Sequence, residues 1–369
     1  MTDQRVTNLA NLLVNYSVEV QPNDWVLIRA SNLAEPLVNE VIRFVLKAGG
    51  NYNLQLSNDS FTETFMKEAS DEQLKWISPL ENLIFNEIDV LISIRAVENT
   101  RAMTGIDPDK ERVQSLARRE LFETYMRRSA EGSLRWVGTQ YPCQAYAQDA
   151  DMSLREYEDF VYGATFADLD DPIAAWQAVH DEQQKIIDWL RGKKIVTIKS
   201  PNADLTLSIE DRIFINSDGK KNMPSGEIFT GPVEDSANGW VNFTYPAIRG
   251  GREVEGVRLE FKDGKVINAT AEKNEAYLIN QLDSDGGACY LGEFAIGTNF
   301  GIKKFTKSIL YDEKIGGSFH MAVGAGYPET GSVNKSAIHW DFICDVQEDS
   351  EIHVDGELLY KDGAFQIDS

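Results

Sequence analysis

The alternation of apolar and polar positions changes character near the middle of the chain. In the first half, short apolar runs are separated by longer stretches of helical period. DWVLIRA (24–30) and DVLISIRA (89–96) have the length and continuity of buried strands, NYNLQLS (51–57) alternates, and LRWVGTQYP (134–142) returns to strand character. Between them lies EPLVNEVIRFVLKAGG (35–50), which reads as a helix with Pro36 in its first turn and Gly49-Gly50 at its end. DKERVQSLARRELFETYMRRSA (109–130) reads as one long charged amphipathic helix, and MSLREYEDFVYGATF (152–166) opens with a capping box from Ser153 to Glu156. A further helix is expected over 172–193. Strands alternating with helices predict a parallel α/β sheet.

After that helix the segments become short, alternating and punctuated by turns: KIVTIKS, ADLTLSIE, RIFINSD, GWVNFTYPA, GVRLEFKDGKVINATA, KSILYD, AIHWDFICDV and EIHVDGELLYKDG. KDGK and VDGE carry Asp-Gly hairpin signals. This half is expected to be mainly antiparallel β, with one helix at NEAYLINQLDS (274–284). The predicted organisation is an α/β N-terminal domain with a parallel sheet, residues 1–194, and an α+β C-terminal domain, residues 195–369, carrying the active site. A length of 369 residues also favours two cores over one.

Composition narrows the function. Apolar residues at 42% and charged residues at 26% describe a globular chain, and a net charge of −23 argues against a nucleic-acid partner. No stretch has the apolar length of a membrane span, and the opening segment lacks the continuous apolar region of a signal peptide, so no membrane association and a cytoplasmic location are expected. Cys143, Cys289 and Cys344 are too sparse and too widely spaced for a disulfide framework or a zinc-thiolate cluster. WVLIRASNLAEP lacks a dinucleotide-binding glycine fingerprint, GAGYPETG lacks the ending of a phosphate loop, and no GxSxG elbow occurs.

Candidate chemistry gathers in the second half. In SAIHWDFICDV (336–346), a period of two points His339 and Asp341 one way and Trp340, Phe342 and Cys344 the other. NMPSGEIFTGP places Glu227 after a turn, and LGEFAIGTNFG places Glu293 among apolar residues. LYDEKIGGSFHMAVGAGYP contains Asp312, Glu313, His320 and Tyr327 in glycine-rich surroundings. A carboxylate among apolar residues needs a partner. Glu227, Glu293, His320, His339 and Asp341 together form a carboxylate-rich set of nitrogen and oxygen donors. It suits two divalent ions (zinc, cobalt, manganese or magnesium) better than a closed, cysteine-rich structural zinc site.

These four segments, in this order, with YPCQAYAQDADMSLREYEDFVY (141–162) before them, resemble the M29 metalloaminopeptidases, the aminopeptidase T or thermophilic metalloprotease type. The resemblance runs over nearly the whole chain. It implies a two-metal aminopeptidase that hydrolyses the N-terminal peptide bond of peptides through a metal-activated water. It also implies a homodimer acting on peptide substrates with a free N-terminus. By the same resemblance Glu227, Glu293, His320, His339 and Asp341 are the metal ligands, with Glu293 at the centre of the site, and Glu313 and Tyr327 occupy further active-site positions. The alternative on the same ions is a two-metal phosphoesterase, for which Lys303, Lys304 and Lys314 would supply cations near the site.

Overall fold

The computed structural model describes residues 3–367. The chain divides into two compact units, Met1–Ala174 with Gly219–Pro224, and Ala175–Asp218 with Ser225–Ser369.

The first unit is built on a five-stranded sheet in the order 51–57, 25–31, 90–95, 135–140 and 222–223, with every pairing parallel. Strands Trp25–Ser31 and Val90–Arg95 are largely buried, as their continuous apolar runs require, whereas Asn51–Ser57 lies at the edge and is exposed along its length. Helix Glu35–Lys47 connects the first two strands and buries Leu37, Val38, Val41 and Val45; Pro36 stands in its first turn. The Ser153–Glu156 capping box opens helix Leu154–Ala164. The charged segment expected as one helix is two, Pro108–Ala117 and Arg119–Ala130. Arg118 leaves helical geometry at φ −92°, ψ 5°, and its guanidinium binds Leu74 O and Glu81. The two pieces therefore pack against different helices, Asp71–Lys75 and Pro79–Glu87.

The second unit holds two antiparallel sheets. One has eight strands in the order 265–270, 258–262, 238–242, 203–208, 195–200, 351–354, 357–361 and 364–365. Both Asp-Gly signals form its tight hairpins, at Asp263-Gly264 and Asp355-Gly356, with positive φ at all four residues. The other sheet has five strands in the order 339–345, 318–324, 291–297, 227–230 and 215–217. One apolar cluster joins the inner faces of both sheets: Ile198, Leu205, Val241 and Leu259 from the first, and Phe294, Phe319, Met321 and Phe342 from the second.

Helix Glu275–Leu282 forms where expected. KSILYD does not form a strand: Ile309–Asp312 is a short helix. The buried Asp312 carboxylate accepts hydrogen bonds from Thr306 N and Oγ1, at 2.7 and 2.9 Å, which folds the segment back on itself. Burial pushes that carboxyl up to about 8.

Candidate metal centre

Strand alternation sorts the site residues onto one face of the five-stranded sheet. Along 291–297, Phe294 and Ile296 enter the core and Glu293 points the other way, helped by a bulge between Leu291 and Glu293. Along 318–324, Phe319, Met321 and Val323 enter the core and His320 does not; along 339–345, Trp340, Phe342 and Cys344 enter it and His339 and Asp341 do not. Ile228 is in the core, which turns Glu227 to the same outer face.

The cross-strand register keeps these side chains from colliding. Ala322 is paired with both Glu293 and Asp341, Ala295 with His320, Gly297 with Glu227, and Gly324 with His339. Each polar side chain thus has a residue with little or no side chain beside it. The two glycines are also required by close approach. A Cβ at Gly297 would lie 2.2 Å from Ile315 O, and one at Gly324, where φ is +99°, would lie 2.1 Å from Ile338 O.

The result is a compact cluster. Glu293 offers one oxygen to each histidine: His339 Nε2 is 3.2 Å from Oε2 and His320 Nε2 is 3.7 Å from Oε1. His339 Nε2 is also 3.3 Å from Asp341 Oδ1, and His320 Nε2 is 3.8 Å from Glu227 Oε2. Two groups of donor atoms lie within 4.8 Å of one another, Glu293–His339–Asp341 and Glu313–His320–Asp341, and Asp341 belongs to both. Glu313 reaches the cluster from the end of helix Ile309–Asp312. The Tyr327 ring packs against those of His339 and Phe229, with centroids 5.2 and 5.3 Å away.

Main-chain carbonyls fix the aim of both imidazoles. His320 Nδ1 is 2.8 Å from Glu313 O, and His339 Nδ1 is 2.7 Å from Ala325 O. A carbonyl oxygen only accepts, so each Nδ1 carries the proton and each Nε2 faces the cluster.

Electrostatics follow from burying so many like charges together. Burial raises the Glu293 carboxyl, but His320 and His339 pull it down to about 2. Burial lowers both imidazoliums, and the carboxylates overcome this, taking His320 to about 9 through Glu293 and His339 to about 12 through Asp341 and Glu293. Glu313 is pushed up to about 7 by burial, with Lys314 opposing and Glu227 and Asp341 adding. The Tyr327 phenol is pushed far above its ordinary value by burial and by the carboxylates around it.

The structure therefore brings Glu227, Glu293, Glu313, His320, Tyr327, His339 and Asp341 together. It leaves His353 paired with Glu351 at 3.0 Å and His180 paired with Asp218 at 2.8 Å, both outside the cluster. Cys143 is buried beside Ala96 and Ala145, and Cys344 lies in the core behind the cluster, on the face that strand alternation gives it. Sequence reasoning does not anticipate the two carbonyl anchors, and it treats Lys314 only as a nearby cation, although that side chain is buried within the cluster against Glu227 and Glu313.

Divalent cations fit these residues. Among the described residues, Glu227 Oε2 and Asp341 Oδ1 are buried with no hydrogen-bond partner, a costly arrangement for carboxylate oxygens unless something else satisfies them. Both face imidazole nitrogens, and the mixed carboxylate–imidazole set is the chemistry that divalent transition ions take.

Comparisons with known proteins agree with this chemistry. Over 98% of its length, the chain is 26% identical to aminopeptidase 2 of Geobacillus stearothermophilus, of which the match covers 95%. It is 23% identical to aminopeptidase AmpS of Bacillus subtilis, with 97% of this chain and 93% of that protein covered. It is 26% identical to aminopeptidase T of Thermus thermophilus, with 80% and 79% covered. The solved structure of wild-type AmpT from Thermus thermophilus superposes with a TM-score of 0.86 at 22% identity, covering 99% of each chain, which shows a shared fold. The family model of the thermophilic metalloproteases (M29) matches residues 2–365, and the chain belongs to that family.

Proposed function

We propose that the protein is an aminopeptidase that uses two divalent cations to hydrolyse the N-terminal peptide bond of short peptides. The observation that carries the reading is the pair of overlapping donor groups sharing Asp341, each with a histidine whose Nε2 is aimed inward. Glu227, Glu293, Glu313, His320, His339 and Asp341 would hold the cations. Bound there, zinc, cobalt, manganese or magnesium would lower the pKa of a water and polarise the scissile carbonyl.

The residues of the chain supply the rest. In this reading a carboxylate of the cluster, Glu293 or Glu313, receives the proton of the attacking water and returns it to the leaving amine. Glu313, one oxygen of which is engaged by Lys314, offers a carboxylate oxygen to the group it forms with His320 and Asp341. Tyr327 donates its hydrogen bond to the developing oxyanion; a phenol keeps its proton at neutral pH, and burial among carboxylates holds it more firmly still. The substrate's free amine, drawn to the carboxylate-rich cluster, makes the reaction exo. A homodimer accompanies this reading. No helix among the described residues is long and apolar enough to cross a membrane.

Phosphoester hydrolysis on the same cations fits less well. The Lys314 ammonium is fully buried and already held by Glu227 and Glu313, and Lys303 and Lys304 are exposed. The deciding assay strips the protein with a chelator, restores single metals, and measures hydrolysis of an aminoacyl amide beside a phosphate ester. Restored release of the amino acid is expected. Activity indifferent to exhaustive chelation, or release of phosphate instead, would overturn the assignment.

A further inference from the structure

Lys314 has 0% side-chain exposure, a setting in which a lysine is ordinarily found only when paired. Its ammonium hydrogen-bonds Glu313 Oε1 and lies 3.6 Å from Glu227 Oε1. The other oxygen of Glu227, Oε2, is the buried one with no hydrogen-bond partner, and it faces His320 Nε2 at 3.8 Å. Among the described residues, no hydrogen bond or ion pair joins Lys314 to His339, Asp341 or Glu293.

The backbone sets the lysine in this place. Lys314 N donates to Tyr311 O at 3.0 Å and Lys314 O accepts from Asn299 N at 3.1 Å. The following carbonyl, Ile315 O, sits where a side chain at Gly297 would have to go, and Gly297 is the cross-strand partner of Glu227. A bare glycine in the sheet thus admits the turn that carries the ammonium to the carboxylate of the neighbouring strand.

We infer that Lys314 is a positioning residue for one of two cation positions. By holding one oxygen of Glu227, it makes that carboxylate present its other oxygen to the side of the cluster occupied by His320, and it holds Glu313 beside the same histidine. The Glu293–His339–Asp341 side, with no hydrogen bond or ion pair to the lysine, depends on it less. Charge acts in the same direction. Glu227 and Glu313 share one ammonium; without it, two buried carboxylates are left uncompensated and turn away from each other, which removes a ligand. This inference rests on the two-cation reading given above.

The test uses the full chain stripped of metal and titrated calorimetrically with Mn2+, for the wild type, Lys314→Met and Lys314→Gln. Two Mn2+ are expected to bind the wild type. In Lys314→Met one position keeps its affinity within about threefold, and the other weakens about tenfold or more, the size of effect seen when a partner of a metal ligand is removed. Lys314→Gln, whose amide can still donate to Glu313, loses less. Both positions unchanged, or both weakened alike, overturns the inference. So does failure of both variants to show a cooperative melt in the metal-free state, which would make the lysine purely structural. A wild-type chain that binds fewer than two Mn2+ instead defeats the two-cation reading, and the inference falls with it.

Discussion

Replacing Glu293 by Gln keeps the size of the side chain and deletes its charge where both histidines meet it. In the metal-free protein, the carboxyl is held at about 2 against an ordinary 4.5, because the pull of His320 and His339 exceeds the opposing effect of burial. At roughly 1.4 kcal/mol per pH unit, that difference is worth about 3 kcal/mol. Breaking a buried ion pair on one side costs about 3–5 kcal/mol, so the two routes to the magnitude agree. Because the folded-state value is depressed, this stabilisation is complete above the ordinary carboxylate range and is lost as pH falls from 4.5 toward about 2. At pH 7 the metal-free Glu293→Gln protein should therefore melt about 6–12 °C lower than the wild type, taking about 2–4 °C per kcal/mol for a unit of this size. Scanning calorimetry after chelation reads this directly. With metal restored, hydrolysis of an aminoacyl amide should fall about 100-fold or more, the usual range for loss of an acid–base group. An unchanged melt together with near wild-type turnover would refute the central role given to Glu293.

Other outcomes follow from the same geometry. His320 and His339, raised to about 9 and about 12, hold protons at pH 7, and each Nε2 must lose its proton to bind a cation. Mn2+ uptake should therefore release about two protons and tighten as pH rises; heats of binding identical in buffers of different ionisation enthalpy would contradict this. Ala322→Leu thrusts bulk between Glu293 and Asp341 and should cost about 1–3 kcal/mol while eliminating cation binding. Met321→Leu, on the core face of the same strand, should cost less than about 1.5 kcal/mol and leave binding intact; equal behaviour of the two variants in a Mn2+ titration would argue against the alternation. Tyr327→Phe should lower kcat about 10-fold or more with KM little changed, and an unaltered kcat would remove the phenol from the reaction.

The sequence made some of this legible and concealed the rest for physical reasons. His339 and Asp341 could be read because their strand alternates visibly, with a core face of Trp340, Phe342 and Cys344. The strands carrying Glu293 and His320 are absent from the list of expected elements. All seven residues of each are buried, and small residues at Gly292, Ala295, Ala322 and Gly324 blur the alternation, so Glu293 and His320 look like interruptions in apolar runs. Those residues come into view through the chemistry of a buried carboxylate and through the resemblance, not through periodicity. The misread KSILYD segment failed differently: its pattern permits a strand, and the hydrogen bonds from Thr306 to the buried Asp312 decide otherwise. The break at Arg118 depends on Leu74 and Glu81, 44 and 37 positions away, and no local window reveals it.

The anchoring of His320 and His339 on the oxygens of Glu313 and Ala325 has an evolutionary implication. An acceptor belonging to the peptide backbone is encoded by no particular codon. Replacing Ala325 by another residue leaves its carbonyl where it was as long as the chain keeps its path, so drift at that position need not tilt the imidazole. Sites that orient their histidines with an aspartate or glutamate can be disarmed by one mutation at the supporting residue; here the equivalent damage requires the main chain itself to shift.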